Sequence, residues 1–287
     1  MRVVDAGLKL MAGVSLYRMS VLFFLVALGW LGSASVASAQ YQRPQTESVG
    51  EQYHIELTYG WWDASPSLIV NSESLNILGS DVDLIQDLGI EQKKLGKFNV
   101  VLRPGKKHRL RFERLPIHYE ADATVKRSFV FNGQNFNVGL PVQTVANFDT
   151  YRVGYEYDFI YKPKGFFGVL FDLKYTNVSV ELNSPIGAEF TKAIAPIPTI
   201  GFVGRVYPHR NLAINGEFSL FRMPEGLATK LEGSGTYTDY DFNATYNFNR
   251  YVGAQLGYRK VDISYDVDND TGTLKFTGLY FGSVIRY

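Results

Sequence analysis

The stretch that decides the fold is residues 273–287, TLKFTGLYFGSVIRY, at the end of the chain. Its side chains alternate between two faces, and a period of two is typical of a β-strand. One face is mostly apolar and ends in an aromatic residue; it carries Leu279, Phe281, Ser283, Ile285 and Tyr287. The opposite face mixes small residues with Tyr280 and Arg286. Alternation alone does not identify the surroundings of this strand, so the rest of the chain has to supply matching neighbours.

Composition restricts the class of protein. The 287 residues suffice for one large domain or two small ones, and a net charge of +1 gives no basic field of the kind that nucleic-acid binding requires. The absence of cysteine excludes disulfides, thiolate metal sites and cysteine nucleophiles. The mean hydropathy of −0.09 argues against a helical membrane protein. With 19 Tyr, 20 Phe and 27 Gly, the composition suits an all-β chain with aromatic membrane girdles.

The N-terminal residues have the pattern of a secretory signal peptide. Three basic residues precede the apolar run VLFFLVALGWL, and a small-residue stretch with an A-x-A site follows. We expect residues 1–39 to be the signal peptide, with cleavage between Ala39 and Gln40. The apolar run has about half the roughly 20 residues that a spanning helix needs. Residues 40–52 are polar and predict a short flexible lead-in.

From residue 53 to the end, alternating segments and turn signals follow one another. We count about ten strands, with eight or twelve as alternatives. The pattern is clearest at 239–248, where aromatic residues alternate with Asp, Asn and Thr. Asn132-Gly133 is a hairpin signal. Short turns near 103–106, 161–165, 208–210 and 249–250 alternate with longer predicted connections at 66–97, 120–146, 183–195 and 224–235, and we interpret 65–97 as mainly surface loop.

The chain resembles the small outer-membrane β-barrels of bacteria, the OmpA/OmpW-like superfamily. The resemblance rests on the signal peptide, the alternation, the asymmetry of the turns and the terminal aromatic residue. It implies a transmembrane antiparallel up-and-down barrel over residues 53–287, with both termini in the periplasm. It also implies a monomer in contact with outer-membrane lipid, the insertion machinery and, through its loops, a possible extracellular ligand. The C-terminal assembly signal would then consist of Phe281, Ile285 and Tyr287.

If the apolar face meets lipid, the other face fills the lumen. Charges in a narrow lumen are partly desolvated and should be paired. The two signs nearly balance, which predicts a salt-bridged polar core; a narrow pore lined by the same charges is the alternative. No cofactor is expected. The expected lumenal charges are Glu56, Arg109, Arg111, Glu113, Arg152, Glu156, Asp172, Lys174, Arg205, Glu217, Asp239, Asp241 and Arg259.

Two carboxylate pairs raise the question of catalysis. Asp81 and Asp83, like Asp239 and Asp241, are two residues apart, and on a strand such residues share a face. The ten-stranded omptin proteases combine carboxylate pairs with an Asp-x-His element, which this sequence lacks. It also lacks the His-x-Ser element of lipid A deacylase barrels and a G-x-S-x-G nucleophile elbow. The acidic tip at 262–270 has no calcium-loop spacing. We therefore expect neither a catalytic site nor a metal site.

Four functions remain open at this point. The preferred one is a structural or surface-interaction role for an integral outer-membrane barrel. The second is a narrow channel or transporter for small solutes, and the third is a lipid-modifying or proteolytic enzyme. The fourth is a soluble periplasmic β-barrel that carries a ligand, although its apolar outward faces would leave a large exposed patch in water.

Overall fold

The computed structural model describes residues 48–72, 79–224, 226, 233–267 and 270–287. The expected signal peptide at 1–39, its cleavage site at Ala39 and Gln40, and residues 40–47 of the expected lead-in lie outside these ranges. In the part of the chain that the structure describes, no helix is long and apolar enough to cross a membrane.

A closed antiparallel barrel of ten long strands forms the structure. Each strand pairs with its neighbour along the chain, and β1 pairs with β13 from Glu56 opposite Arg286 to Ser72 opposite Asp270, which closes the sheet. The expected all-β fold with ten barrel strands is confirmed. The strands, in chain order, are β1 (Ile55–Ser72), β2 (Val82–Asp83), β3 (Lys93–Gly105), β4 (His108–Thr124), β5 (Phe129–Phe131), β6 (Gln134–Phe136), β7 (Pro141–Lys162), β8 (Gly165–Ser184), β9 (Gly187–His209), β10 (Leu212–Arg222), β11 (Gly233–Asn247), β12 (Val252–Val267) and β13 (Asp270–Arg286).

The short strands β2, β5 and β6 lie outside the ring of ten. β2 adds to the edge of β1 beyond the end of β3. β5 and β6 form the hairpin that Asn132-Gly133 predicts, with both residues at positive φ, 49° and 80°. Such angles are typical of the two-residue turns that join hairpin strands.

The strands are longer than the sequence predicts. β7, β8 and β9 have 22, 20 and 23 residues, about twice the roughly 9–11 that cross a bilayer. The predicted long connection at 183–195 is wrong, because β8 and β9 meet in a tight turn between Ser184 and Gly187. The surface-loop interpretation of 65–97 is wrong at both ends, since β1 continues to Ser72 and β3 begins at Lys93.

The two faces of the strands exchange polarity part of the way along the barrel. On β8 the outward residues are apolar from Phe167 to Tyr175 and polar from Asn177 onward. The inward residues change the other way, from Asp172 and Lys174 to an apolar run that ends at Leu182. The change divides the barrel into a terminal half, which contains the ends Ile55 and Arg286, and a distal half. Beyond the change, the outward side resembles the surface of a soluble protein.

Apolar side chains fill the distal half of the lumen. Strand residues such as Leu68 and Phe276 pack there against residues from the connections that cover the mouth. Leu84 and Leu88 come from the turn after β2, and Phe131 comes from the β5–β6 hairpin; all three are fully buried. The expectation that inward positions are polar throughout is therefore wrong for the distal half. Burial of this apolar surface stabilises the distal half as it does the core of a soluble domain.

Candidate functional site

The thirteen charged residues expected in the lumen all lie inside the terminal half of the barrel. Five further charged residues join them, so that nine carboxylates face nine cations among the described residues. Most have side chains that are less than a tenth exposed, and none exceeds 14%. The carboxylates are Glu51, Glu56, Glu113, Glu156, Asp158, Asp172, Glu217, Asp239 and Asp241, and the cations are Lys97, Arg103, Arg109, Arg111, Arg152, Lys174, Arg205, Arg259 and Arg286. We call this set the lumenal network.

Glu51 joins several arginines at the terminal end of the lumenal network. Residues 48–52, which the sequence analysis assigned to a flexible lead-in, fold back into the barrel, and Val49–Glu51 forms a 3-10 turn. The Glu51 carboxylate lies 3.1 Å from both Arg109 and Arg205. It also accepts a hydrogen bond of 2.9 Å from the Tyr207 hydroxyl. The segment therefore lies against the interior because its one acid meets several cations there.

Arg109 is shared by three carboxylates of the lumenal network. It is 1% exposed and donates hydrogen bonds to Glu156 at 2.6 Å and to Asp158, in addition to Glu51. Glu156 also accepts from Arg111 at 2.9 Å. A buried carboxylate is stable as an anion only when such partners replace its water.

The lumenal network continues across the barrel axis. Arg111 and Arg152 both contact Glu217, at 2.7 and 2.5 Å, and these three residues come from β4, β7 and β10. Arg152 also pairs with Asp172 of β8 at 2.8 Å. Strands that are not neighbours in the sheet are therefore joined through the lumen, in addition to the backbone ladder around the wall.

The far edge of the lumenal network adjoins the apolar core. Arg259 bridges Glu113 at 2.6 Å and Asp239 at 2.8 Å, and Lys174 pairs with Asp239 at 2.9 Å. Lys97 pairs with Asp241 at 2.6 Å.

A layer of aromatic residues separates these charges from the apolar core. The Lys174 ammonium lies 4.2 Å from the Tyr237 ring centroid, and the Lys97 ammonium lies 4.0 Å from that of Tyr280. The Trp62 indole N–H donates to the Gly278 carbonyl at 3.1 Å. Aromatic rings suit this position because their faces attract cations while their edges pack with apolar groups. The network is thereby covered on its distal side.

Five charged members of the lumenal network were not in the predicted set. Asp158 and Arg286 sit at inward positions of recognised strands, so alternation alone could have found them. Lys97 and Arg103 lie on β3, and the sequence predicts a shorter strand there that excludes both residues. Glu51 had no sequence signal, because a polar segment before the first strand gives no indication that it folds inward.

The interior leaves little unfilled volume near these charges. A cavity of about 70 Å³ lies in the terminal half and is lined by network members including Glu56, Arg111 and Glu217. This volume is enough for a few water molecules. Among the described residues, no group of three or more His, Cys, Asp or Glu side chains is arranged to hold a metal ion. The carboxylates are engaged with cations, so the arrangement is that of a structural polar core.

The carboxylate pair Asp81 and Asp83 lies in the distal connections, apart from the lumenal network. Asp83 Oδ1 accepts from the backbone N–H groups of Ile85 and Gln86, at 2.9 and 3.0 Å, and so caps a turn. Asp81 Oδ1 accepts from the Asn71 amide at 3.1 Å. Both carboxylates thus make local contacts that hold the β2 turn in place.

An ion pair fastens the β2 turn to the connection before β5. The Arg127 guanidinium donates to Asp87 at 2.7 Å and to the Asp81 carbonyl at 2.8 Å. The hydrogen bond to Asp87 and the charge of that carboxylate raise the pKa of Arg127. The two connections that cover the mouth are therefore joined to each other.

The three residues of the expected assembly signal lie on the outer face of β13. Phe281, Ile285 and Tyr287 are 51%, 54% and 83% exposed. The Tyr287 backbone N–H donates to the Ile55 carbonyl at 2.9 Å, and the Tyr287 carbonyl accepts from Ile55 in return. The last residue is therefore part of the seam that closes the barrel.

Comparison with known proteins supports the fold. No protein-family model and no curated protein sequence matches the chain. Among solved structures, the outer-membrane protease OmpT of Escherichia coli is similar, with a TM-score of 0.53 and 10% identity over 81% of this chain and 96% of that one. Ail of Yersinia pestis (TM-score 0.37, 8% identity, 81% and 97% covered) and OprG of Pseudomonas aeruginosa (0.35, 7%, 84% and 99%) are more distant barrels. At such identities the likeness to OmpT concerns the fold alone.

Proposed function

We propose that this chain is an integral β-barrel of the bacterial outer membrane with a structural or surface-interaction role. Its lumen serves as a packed core. Its outer wall contacts lipid, and its distal connections contact extracellular partners. The observation that carries this proposal is the exchange of polarity between inside and outside.

The outer wall of the terminal half supports the membrane placement. All ten barrel strands present apolar residues outward there, for example Tyr59 on β1, Val153 on β7 and Leu256 on β12, and these three are more than half exposed. An apolar belt of this extent would be a large unfavourable surface in water, whereas it matches the hydrocarbon of a bilayer. This argues against the soluble periplasmic carrier.

The filling of the lumen argues against a conduit. The lumenal network and residues 48–52 occupy the terminal half, and the apolar core with the β2 and β5–β6 connections occupies the distal half. An ion crossing the barrel would have to break buried ion pairs and then enter an apolar region, and both steps are costly. We therefore propose that the wild-type protein does not conduct.

Planar-bilayer recording tests this proposal directly. The refolded chain is added to a bilayer, with a known porin as the positive control, after heat-modifiable gel mobility has shown that the barrel is folded. We expect no conductance steps from the folded protein while the porin gives them. Regular steps would favour the narrow channel instead.

We further propose that both termini face the periplasm. All four connections at the terminal end are short turns, whereas three of the five connections at the distal end are longer, which resembles barrels with external loops. Because the natural chain has no cysteine, single replacements report the side unambiguously. A cysteine in place of Lys126, in a distal connection, should react with an impermeant maleimide in intact cells. A cysteine in place of Lys164, in a terminal turn, should react only after the outer membrane is permeabilised; the reverse pattern would invert the orientation.

Tyr287 is proposed to help the insertion machinery recognise the closing strand. Tyr287→Ala should then lower the amount of protein in the outer membrane, while the same change at Tyr59, also outward on the seam strand β1, should leave it nearly unchanged. Equal levels for both variants and wild type would contradict an assembly role for the terminal residue.

A further inference from the structure

The turns at the terminal end of the barrel carry charge of one sign. Four connections lie there, at residues 104–108 (PGKKH), 162–165 (KPKG), 208–211 (PHRN) and 248–251 (FNRY). Together they contain six Lys or Arg residues and two His, and their sequences contain neither Asp nor Glu. We call the six cations the basic rim: Lys106, Lys107, Lys162, Lys164, Arg210 and Arg250.

The basic rim follows the circumference of the barrel. The four turns join β3 to β4, β7 to β8, β9 to β10 and β11 to β12, and they are consecutive in the order of the sheet. Two of them are also joined through the N-terminal segment: the Ser48 hydroxyl donates to the Pro163 carbonyl at 2.9 Å, and the Val49 N–H donates to the Arg210 carbonyl at 3.3 Å. All six rim residues are exposed.

The interior does not offset this charge. The lumenal network contains equal numbers of carboxylates and cations, so it is neutral as a whole when its members are ionised. The distal exterior differs from the rim because it mixes both signs; Lys260 and Lys275, for example, each lie 3.9 Å from Asp262. The four terminal turns are therefore the part of the described barrel at which cations occur without interspersed Asp or Glu side chains.

The rim adjoins the apolar belt. Phe159 and Ile160 precede the second turn and Val206 precedes the third; all three point outward and are 44–54% exposed. At the fourth turn, the Arg250 guanidinium lies 4.5 Å from the Tyr251 ring centroid. In a bilayer, residues one turn beyond such a belt lie at the depth of the lipid headgroups.

We propose that the basic rim binds the phosphate headgroups of anionic phospholipids in the leaflet that it contacts. This inference rests on the membrane placement proposed above. Lys and Arg extend their charged ends to the headgroup layer while their stems stay along the apolar wall. Several cations on one circumference attract a headgroup with net negative charge more than a zwitterionic one, because the amine of the latter offsets its phosphate.

Lipid association can be measured with spin-labelled lipids in vesicles that hold the folded full-length chain. The ratio of protein-associated phosphatidylglycerol to phosphatidylcholine is recorded at low and at high sodium chloride. We expect phosphatidylglycerol to be favoured at low salt, by about fivefold for each cation that reaches a headgroup. High salt should reduce this preference, because it screens exposed charges.

Two matched variants test whether the preference for phosphatidylglycerol comes from the basic rim. In the rim variant all six rim cations are changed to Gln, which should abolish the preference. In the control variant six cations of the distal end (Lys93, Lys94, Lys126, Lys192, Lys260 and Lys275) are changed to Gln, with the same loss of net charge, and the preference should remain. A rim variant with Arg in place of its four lysines should keep it.

The outcomes separate the two proposals. A chain that enters the vesicles as a heat-modifiable barrel but associates equally with both lipids overturns the basic rim and leaves the membrane barrel intact. A preference that survives in the rim variant also overturns it. If inorganic phosphate removes the preference far more strongly than chloride at equal ionic strength, the rim is a site for small anions, and the lipid proposal fails. A chain that does not enter vesicles contradicts the proposed function itself.

Discussion

The terminal and distal halves of this barrel differ in the side chains that fill the interior and in those that cover the outer wall. In the terminal half, apolar side chains point out and charged ones point in; in the distal half the inward side chains are mostly apolar and the outward ones mostly polar, with exceptions such as Phe190 and Ile194 on β9. The reversal occurs within single strands: on β1, Trp61 is 44% exposed and its neighbour Trp62 is fully buried. One continuous ladder of backbone hydrogen bonds between β1 and β13 therefore runs through both halves.

The difference shows what holds each half together. Lipid is as apolar as the outward side chains, so burial of apolar area cannot stabilise the terminal half in a membrane as it does in water. Its interior instead holds ion pairs that join strands through the lumen, beside a small apolar cluster of Phe166, Leu170 and Val203. In the proposed membrane placement the distal half is surrounded by water, where burial of apolar side chains is favourable, and its interior is apolar like that of a soluble protein. The predictions below test each half in turn.

The largest expected effect comes from the removal of a shared cation in the terminal half. Arg109→Leu leaves Glu51, Glu156 and Asp158 crowded together without their common partner. Breaking a buried ion pair by deleting one member costs about 3–5 kcal/mol, and the free energy of unfolding in urea should fall by that amount. Arg114→Leu, on the outer face of the same strand, is the control and should change stability by less than about 0.5 kcal/mol. Equally small losses of stability for both variants would mean that water stabilises the carboxylates around Arg109, so that the lumen is well hydrated.

In the distal half, the corresponding change is Phe276→Ala. Phe276 is 1% exposed, and its ring centroid lies 5.4 Å from Phe148 and 6.4 Å from Trp62. Truncation of a buried Phe costs about 3–4 kcal/mol through lost burial and the cavity that remains. The loss should be insensitive to salt. A clear dependence on ionic strength would show that the distal interior is not the apolar core described above.

Much of the terminal half could be predicted from the sequence, and the distal half could not. The alternation assigned all thirteen expected charges to the inside, because one rule, apolar outward, holds through that half. Past Trp62 the rule reverses: Ser65 and Ser67 point outward while Leu68 and Val70 are buried. An alternating pattern that changes phase resembles the end of a strand, so the sequence predicts a strand that ends near the midpoint of β1.

Turn signals caused a second kind of error. Pro185 and Gly187 predict a long loop, but Pro185 lies in the tight turn between β8 and β9, and Gly187 begins β9. The sequence also could not predict which members of the lumenal network form ion pairs with each other. Which carboxylate meets which guanidinium depends on strand register and on the tilt of the closed sheet, and alternation specifies neither.

The extent of the apolar belt gives the next prediction. Ala244 and Thr236 both lie on the outer face of β11, the first in the middle of the belt and the second beyond it. Ala244→Arg should destabilise the barrel in vesicles by about 2–4 kcal/mol, because it places a charge near the bilayer midplane, and Thr236→Arg should cost about 0–1 kcal/mol. Equal losses of stability for the two variants would mean that the apolar belt does not end between Ala244 and Thr236.

The smallest effect concerns a close approach inside the terminal half. A Cβ added to Gly154 would clash with Asp172 Oδ1, whereas one added to Gly96 would meet no described atom within 4 Å. Gly154→Ala should therefore push the Asp172 carboxylate away from Arg152 and cost about 1–3 kcal/mol, the usual range for an overpacked site. Gly96→Ala should be neutral or slightly stabilising, since alanine restricts the unfolded chain more than glycine does. A neutral Gly154→Ala, in the same unfolding experiment, would show that Asp172 can shift without loss and that the lumenal network tolerates rearrangement more readily than its buried ion pairs imply.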